Sequence, residues 1–407
     1  MIEDYRLDDE RIIERVDARG TLRSLAMAGA NVRRSRVLAH EGGIDRVNHG
    51  DRPRAIVVAA VGASAVVGDV LDLLAEASSP VSVSALRNLP LPGWVGPLDL
   101  VIAVSQSGAA RGPLAVAAEA ARRGASLLTI GAADSPLAEV CARARGIHID
   151  PRGSGDQTSR GSLWSLLTPV LLGAAALGVV GPVDDVLDAV ADALDARAEE
   201  CRPGSESFVN PAKVLALDLA DHVPVVLGDG RLTGVVASRA AAMLARTART
   251  PASWGQLPDA ASQIVACFDG PYAGHAGAVL DAPLASFDPE DDSGHGGARD
   301  IFADPFLDAP ATPRLGLLMI REPLPEPVSG QVPEADAIRH NLAQAVVEAA
   351  REAGVKTWEQ LTPDGVPLVR VADQIAFVDF TATYLAIGLG LDPAGSAHVA
   401  ALRDRTR

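Results

Sequence analysis

Short apolar runs alternate along this chain with longer stretches whose apolar positions recur every three or four residues. The clearest such unit is Leu98 to Pro113, LDLVIAVSQSGAARGP. Leu98, Leu100, Val101, Ile102, Ala103 and Val104 form the apolar run expected of a parallel strand covered by helices on both faces. It stops at Ser105-Gln106-Ser107-Gly108, after which Leu114, Ala115, Ala118 and Ala121 return at helical spacing. The turn is predicted to bring hydroxyls and backbone amides to a helix N-terminus, where an anion is attracted. A turn merely capped by serine has the same pattern, so the stretch alone leaves both readings open.

The rest of the chain repeats this alternation. Residues 1–40 hold two helical patterns, Ile12, Ile13, Val16 and then Leu22, Leu25, Ala26, Ala30, expected to cover the first strand. RAIVVAAV at 54–61 predicts that strand, followed by the turn Gly62-Ala63-Ser64 and a helix through Val66, Val67, Val70, Leu71 and Leu74. Further strands are predicted at Val81–Val83, Ser126–Ile130 and Ile147–Ile149. A polar loop at 151–162, an apolar helix at 163–180 and a crossing helix at 182–200 then lead to the second half. There Val223–Leu227 with Gly228 and Gly234 mirrors the first strand with Gly62 and Gly68, which suggests two copies of one subdomain. Ile264–Phe268 and Leu315–Ile320 are the next predicted strands, separated by a Gly-, Asp- and Pro-rich stretch, 269–314, read as a mobile excursion. A helix over Glu334–Ala353, a strand over Val355–Trp358 and a helix over Val371–Leu391 close the chain.

The alternation predicts an α/β protein of two three-layer αβα sandwich subdomains, each around a mainly parallel sheet. The expected units are a helical cover (1–40), a first subdomain (41–200) and a second (201–407). Ligands in such sheets bind beyond the carboxyl ends of the strands, where the Gly62 and Ser105 turns lie.

Composition narrows the possibilities. The 407 residues are 48% hydrophobic, enough to fill sizeable cores. A formal charge of −16 and 3% aromatics disfavour nucleic acid, which needs a basic surface and stacking platforms. A small anionic metabolite held by a few arginines and amides remains compatible. No run approaches a membrane span and the N-terminal segment is charged, so a cytoplasmic protein without a membrane partner is expected. Cys141, Cys201 and Cys267 are scattered without CxxC spacing; they are read as buried small apolar residues, with neither disulfide nor metal site, and no cofactor is expected.

Gly62-x-Ser64, then Ser105-x-Ser107-Gly108, then a crossover ending ARRGASLLTIG resembles the sugar isomerase (SIS) family. More closely, the chain resembles bifunctional phosphoglucose and phosphomannose isomerases of archaeal and actinobacterial type, through Asn210-Pro211-Ala212-Lys213, Tyr384-Leu385-Ala386 and Asp392-Pro393. The resemblance implies that Gly62, Ser64, Ser105, Ser107 and Gly108 bind a substrate phosphate and that Arg160 lies near the reacting end of the sugar. It also implies a homodimer. The phosphate loop departs from the family's threonine and paired glutamates at Ala109-Ala110-Arg111-Gly112-Pro113, where Arg111 adds a cation.

The resemblance also implies a proton-shuttling glutamate seven residues after Arg239, and a histidine in a Pro-Glu-x-x-His-Asn segment. Here those positions are Arg246 and Ser262. Arginine stays protonated and cannot take and return a proton. Asp259, matched to the acid of that segment, is the candidate substitute base. His340-Asn341 shares the dipeptide at an unmatched place, and His275 and His295 fall in the excursion. The expectation is a phosphosugar-binding protein whose catalytic glutamate and histidine are replaced. The alternatives are a hexose-6-phosphate isomerase using Asp259, and a non-catalytic dimerisation or regulatory subunit.

Overall fold

The computed structural model describes residues 2, 4–48, 50, 52–75, 79–152, 160–273, 314–326 and 332–405. They build two all-parallel sheets. In the first, β1 (Ala55–Ala59), β2 (Ser82–Leu86), β3 (Leu100–Ser105), β4 (Ser126–Gly131) and β5 (Ile147–Ile149) take the order β2-β1-β3-β4-β5. In the second, β6 (His222–Gly228), β7 (Ser253–Gln256), β8 (Arg314–Arg321) and β9 (Lys356–Leu361) take the order β7-β6-β8-β9. Each sheet starts from an inner strand, steps once to one side, and then reverses. The reversal lies between β1 and β3 in one sheet and between β6 and β8 in the other.

The helices preceding the first sheet are α1 (Tyr5–Asp8), α2 (Glu10–Val16), α3 (Thr21–Ala26) and α4 (Ala28–Glu41). Those of the first subdomain are α5 (Val66–Leu74), α6 (Arg111–Arg122), α7 (Pro136–Arg143), α8 (Leu163–Ala176) and α9 (Asp184–Glu200). The second subdomain carries α10 (Pro211–Leu219), α11 (Arg231–Met243), α12 (Ala261–Cys267), α13 (Glu334–Glu352), α14 (Pro367–Gly388) and α15 (Ala397–Arg405).

Alternation along the strands sets the layers. Ile56, Val58 and Ile102 of the first sheet and Val226, Leu318 and Ile320 of the second share one apolar core with α8, α11 and α14. Val57, Ala59, Val101 and Ala103 face outward under α6 and α7, and Val225, Leu227, Leu317 and Met319 face outward under α12 and α13. The two sandwiches are thus fused through a common inner layer. Helix α14 is buried on all sides, as expected of a helix apolar around its circumference.

The suspected internal repeat is real in detail. A Cβ on Gly68 would lie 2.8 Å from the Cβ of Ala85 on β2, and a Cβ on Gly234 would lie 2.5 Å from Gln256 Oε1 on β7. Each glycine lets the helix that follows the first strand of its sheet approach the equivalent edge strand.

Several expectations are corrected. Ile264–Phe268 belongs largely to helix α12 and not to a strand: Ala260, Ile264 and Phe268 are buried at four-residue spacing against the outer face of the second sheet. The strand in that place is β7, SWGQ, an exposed edge with too few apolar residues to stand out. The first 40 residues form four helices and serve both subdomains, since Lys213 Nζ donates to Leu7 O and Ser207 to Asp8. Cys141 and Cys201 are buried, but Cys267 is exposed. The expected excursion at 269–314 lies mostly outside the described residues. Among the described residues no helix is long and apolar enough to cross a membrane, and no group of three or more His, Cys, Asp or Glu side chains is placed to hold a metal ion.

Candidate functional site at the junction of the subdomains

The reversal between β1 and β3 opens at the carboxyl edge of the first sheet, where ligands of open α/β sheets bind. Ile56 to Ala59 of β1 pair with Leu100 to Ala103 of β3, so the Gly62–Ser64 and Ser105–Gly108 turns leave neighbouring strands at the same edge. A Cβ on Gly112, in the first turn of α6, would lie 3.4 Å from Val61 Cγ1, which places the start of that helix beside the first turn. Gly62 and Gly108 both have left-handed backbones, at φ 66° and 64°. A Cβ on Gly108 would collide with the side chain of Ser135, so the Ser105 turn can pack there only with glycine.

The serines are partly committed to the turn. The hydroxyl of buried Ser105 accepts from Ala110 N at 3.3 Å, and that of exposed Ser107 accepts from Ala109 N at 3.3 Å. Each keeps an O–H to donate. Arg111, exposed, is the first residue of α6.

Arginines of both subdomains converge on the Gly62 turn. Arg239 on α11 donates through Nη1 to Ala63 O at 2.9 Å, while its Nε and Nη2 donate to Asp379 Oδ1 and Oδ2 at 2.9 and 2.7 Å. Arg246 Nη1 lies 3.5 Å from where a Cβ on Gly62 would sit. Arg160, 8% exposed, donates through Nη2 to Arg246 O at 3.1 Å. Arg239 and Asp379 are each 3% exposed, and such a buried pair is retained only when its geometry satisfies both partners. Burial raises the Asp379 pKa, even though the guanidinium groups of Arg239, Arg246 and Arg160 act to lower it.

Asp379 was not anticipated. It stands in an apolar helix with few charges nearby, and that isolation was itself a signal, because a carboxylate buried there requires a cationic partner. A π-helical segment, Leu244–Ala248, aims Arg246. It ends at Arg249, whose backbone is left-handed at φ 56°. Such segments concentrate at functional sites.

Other predicted residues fall elsewhere. Asp259 is exposed in the turn between β7 and α12, and among the described residues its carboxylate makes no hydrogen bond or ion pair. His340 on α13 lies against Arg321, with Nη2 and Nδ1 3.0 Å apart, at the other sheet's reversal point. His275 and His295 lie outside the described residues. The motif residues at both ends of the second half are anchors: Asn210 caps α10, Lys213 is buried, Tyr384 donates to Cys201 O at 2.6 Å, and Asp392 pairs with Arg19.

The corresponding reversal between β6 and β8 is filled by its own charges. Asp229, 2% exposed, accepts from Thr233 Oγ1, from Glu322 N and from Arg339 Nη1, the last at 2.6 Å. Arg370 pairs with Glu322 at 2.8 Å, and Arg321 with Glu359 at 2.6 Å.

Comparison with known proteins agrees with this architecture. Residues 208–406 match the family described as bacterial phospho-glucose isomerase C-terminal SIS domain. A bifunctional phosphoglucose/phosphomannose isomerase of Caldicellulosiruptor bescii is 29% identical over 197 residues, 48% of this chain and 57% of that protein, so the match spans little more than half of the relative's length. Among solved structures, a hypothetical protein from Thermus thermophilus superposes with a TM-score of 0.63 at 16% identity, covering 98% of this chain and 93% of the other. A glucose-6-phosphate isomerase from Chlamydia trachomatis does so with a TM-score of 0.57 at 13% identity, covering 92% and 72%. With two αβα subdomains of this fold and a second half that matches that family model, the chain is similar to SIS proteins of phosphoglucose and phosphomannose isomerase type.

Proposed function

We propose that the protein binds a sugar phosphate at the β1–β3 reversal, with the phosphate on the Ser105–Gly108 turn and the start of α6 and the sugar running toward Arg160 and the Gly62 turn. It does so without isomerising the sugar by the route the family resemblance implies. The observation that carries this reading is the convergence of Arg160, Arg239 and Arg246 beside the Gly62 turn, where the neighbouring carboxylate, Asp379, is locked bidentately on Arg239. Aldose-ketose interconversion needs a base that reaches a carbon-bound proton and returns it. Arg246 occupies the position the resemblance assigns to that base, and Asp259 stands apart from the cluster. Donors at a helix start and arginines around a glycine turn support anion recognition.

Thermal unfolding with glucose 6-phosphate and fructose 6-phosphate tests the reading, together with a coupled assay for their interconversion. Both ligands are expected to raise the melting temperature, Ser107→Ala combined with Arg160→Ala to abolish the rise, and turnover to stay at background. No stabilisation by either ligand would refute binding. Turnover that Asp259→Ala abolishes would establish the isomerase instead.

A further inference from the structure

The positive charge does not stop at the sugar end of this site. Arg160 also lines a neighbouring cavity of about 630 Å³, together with Arg19, Arg249, Asp392 and the segment Ser396–Ala400. Arg249 donates to the carbonyls of Asp392 and Gly395, and Arg19 to the Asp392 carboxylate, so a loop tied down by arginines forms one wall. Among the described side chains of this region, Arg19, Arg160, Arg239, Arg246 and Arg249 accompany three carboxylates, Asp17, Asp379 and Asp392. That local excess of two positive charges stands in a chain of formal charge −16.

Resting on the reading above, we infer that the ligand carries a second anionic group, a carboxylate or a second phosphate, at the end remote from its first phosphate, and that Arg246 and Arg160 receive it. The preferred class is a phosphorylated sugar acid or a sugar bisphosphate, in place of a hexose monophosphate. The exchange of a base for a permanent cation is then a change of ligand: a guanidinium at the carbonyl end of a sugar contributes little to proton transfer and much to holding a charged oxygen.

Titration calorimetry on the full chain with glucose 6-phosphate, 6-phosphogluconate and fructose 1,6-bisphosphate decides the matter, the last two probes separating carboxylate from phosphate. At least one doubly anionic probe is expected to bind about tenfold or more tightly than glucose 6-phosphate, one charge-assisted pair being sufficient for that factor. Arg246→Met should erase the preference, weakening the doubly anionic probe about tenfold more than it weakens glucose 6-phosphate. Arg246→Lys should restore part of it, which separates charge from packing. Equal affinities for all three probes would overturn this inference and leave the binding reading standing, whereas no binding of any probe would overturn both. A preference that survives Arg246→Met would overturn the assignment of the arginine end. Each variant's melting temperature, measured without ligand, shows whether it is folded before its affinity is compared.

Discussion

The two sheets share a strand order up to the reversal and use the crevice it creates in opposite ways. Beyond β1 and β3 stand glycines, two serine hydroxyls, the start of α6 and arginines delivered from both subdomains. Beyond β6 and β8, Asp229, Arg339, Glu322 and Arg370 satisfy one another, with Arg321 and Glu359 alongside. Topology offers a ligand position twice, and side chains close one of them. The two crevices therefore differ in what lines them: glycine turns, serine hydroxyls and arginines at one, and an interlocked set of opposite charges at the other.

The sharpest way to break this comparison is to remove Asp229. Its carboxylate is buried against Arg339, Thr233 and the Glu322 amide, so Asp229→Ala strands a cation and two donors and should cost about 3–5 kcal/mol in urea unfolding. Ser107→Ala at the open crevice loses one hydrogen bond in an exposed turn and should cost at most about 1 kcal/mol. Its effect should appear with ligand present, where the wild type gains about 2.7 kcal/mol at a hundredfold excess over Kd. If Asp229→Ala were as mild as Ser107→Ala, the second crevice would not be held shut by its charges.

Lys213 sharpens the contrast between motif residues that bind and those that hold the fold. Its ammonium is buried and donates to the carbonyls of Leu7, Pro203 and Ser205 at 2.5, 2.8 and 2.6 Å. Burial lowers its pKa, and Asp8, 3.7 Å away, works against that shift. Lys213→Met leaves those carbonyls without the donor and should lower stability by about 1–3 kcal/mol while leaving phosphosugar affinity unchanged. A weaker ligand affinity, measured by calorimetry on folded protein, would move Lys213 from scaffold to site.

How much of this was legible beforehand depended on the strength of each local pattern. Leu100 to Val104 is apolar without interruption, and its strand emerged nearly as expected. The four residues of β7 lie on an edge with Trp254 exposed, so burial left no mark on them. Ile264–Phe268 misled because a short β-branched run fits a strand or one face of a helix, and only the sheet it packs on decides. Ser105, Ser107 and Gly62 could be placed in turns after buried strands, but a serine-capped turn has the same pattern whether or not it binds an anion. The link from Arg239 to Asp379 spans 140 residues, and no local pattern carries such a pairing.

The smallest expected effect concerns acid stability and distinguishes the subdomains once more. His148 on β5 lies within hydrogen-bond reach of Thr129 Oγ1 at 2.7 Å and of Ala132 O at 3.2 Å, and burial lowers its pKa below the ordinary 6.5. Protons therefore bind the imidazole of the unfolded chain before that of the folded one. The stability it contributes is present above about pH 6.5 and is lost as the pH falls from there toward the depressed folded value. Comparison of wild type with His148→Gln between pH 7.5 and 5.5 should show a steeper decline of the wild-type melting temperature, by on the order of 1–2 °C. Hydrogen exchange should place the loosening in β4 and β5, in the subdomain with the open crevice, because the histidine's partners all lie there. Loosening that began at β8 and β9 would instead take the acid sensitivity away from His148.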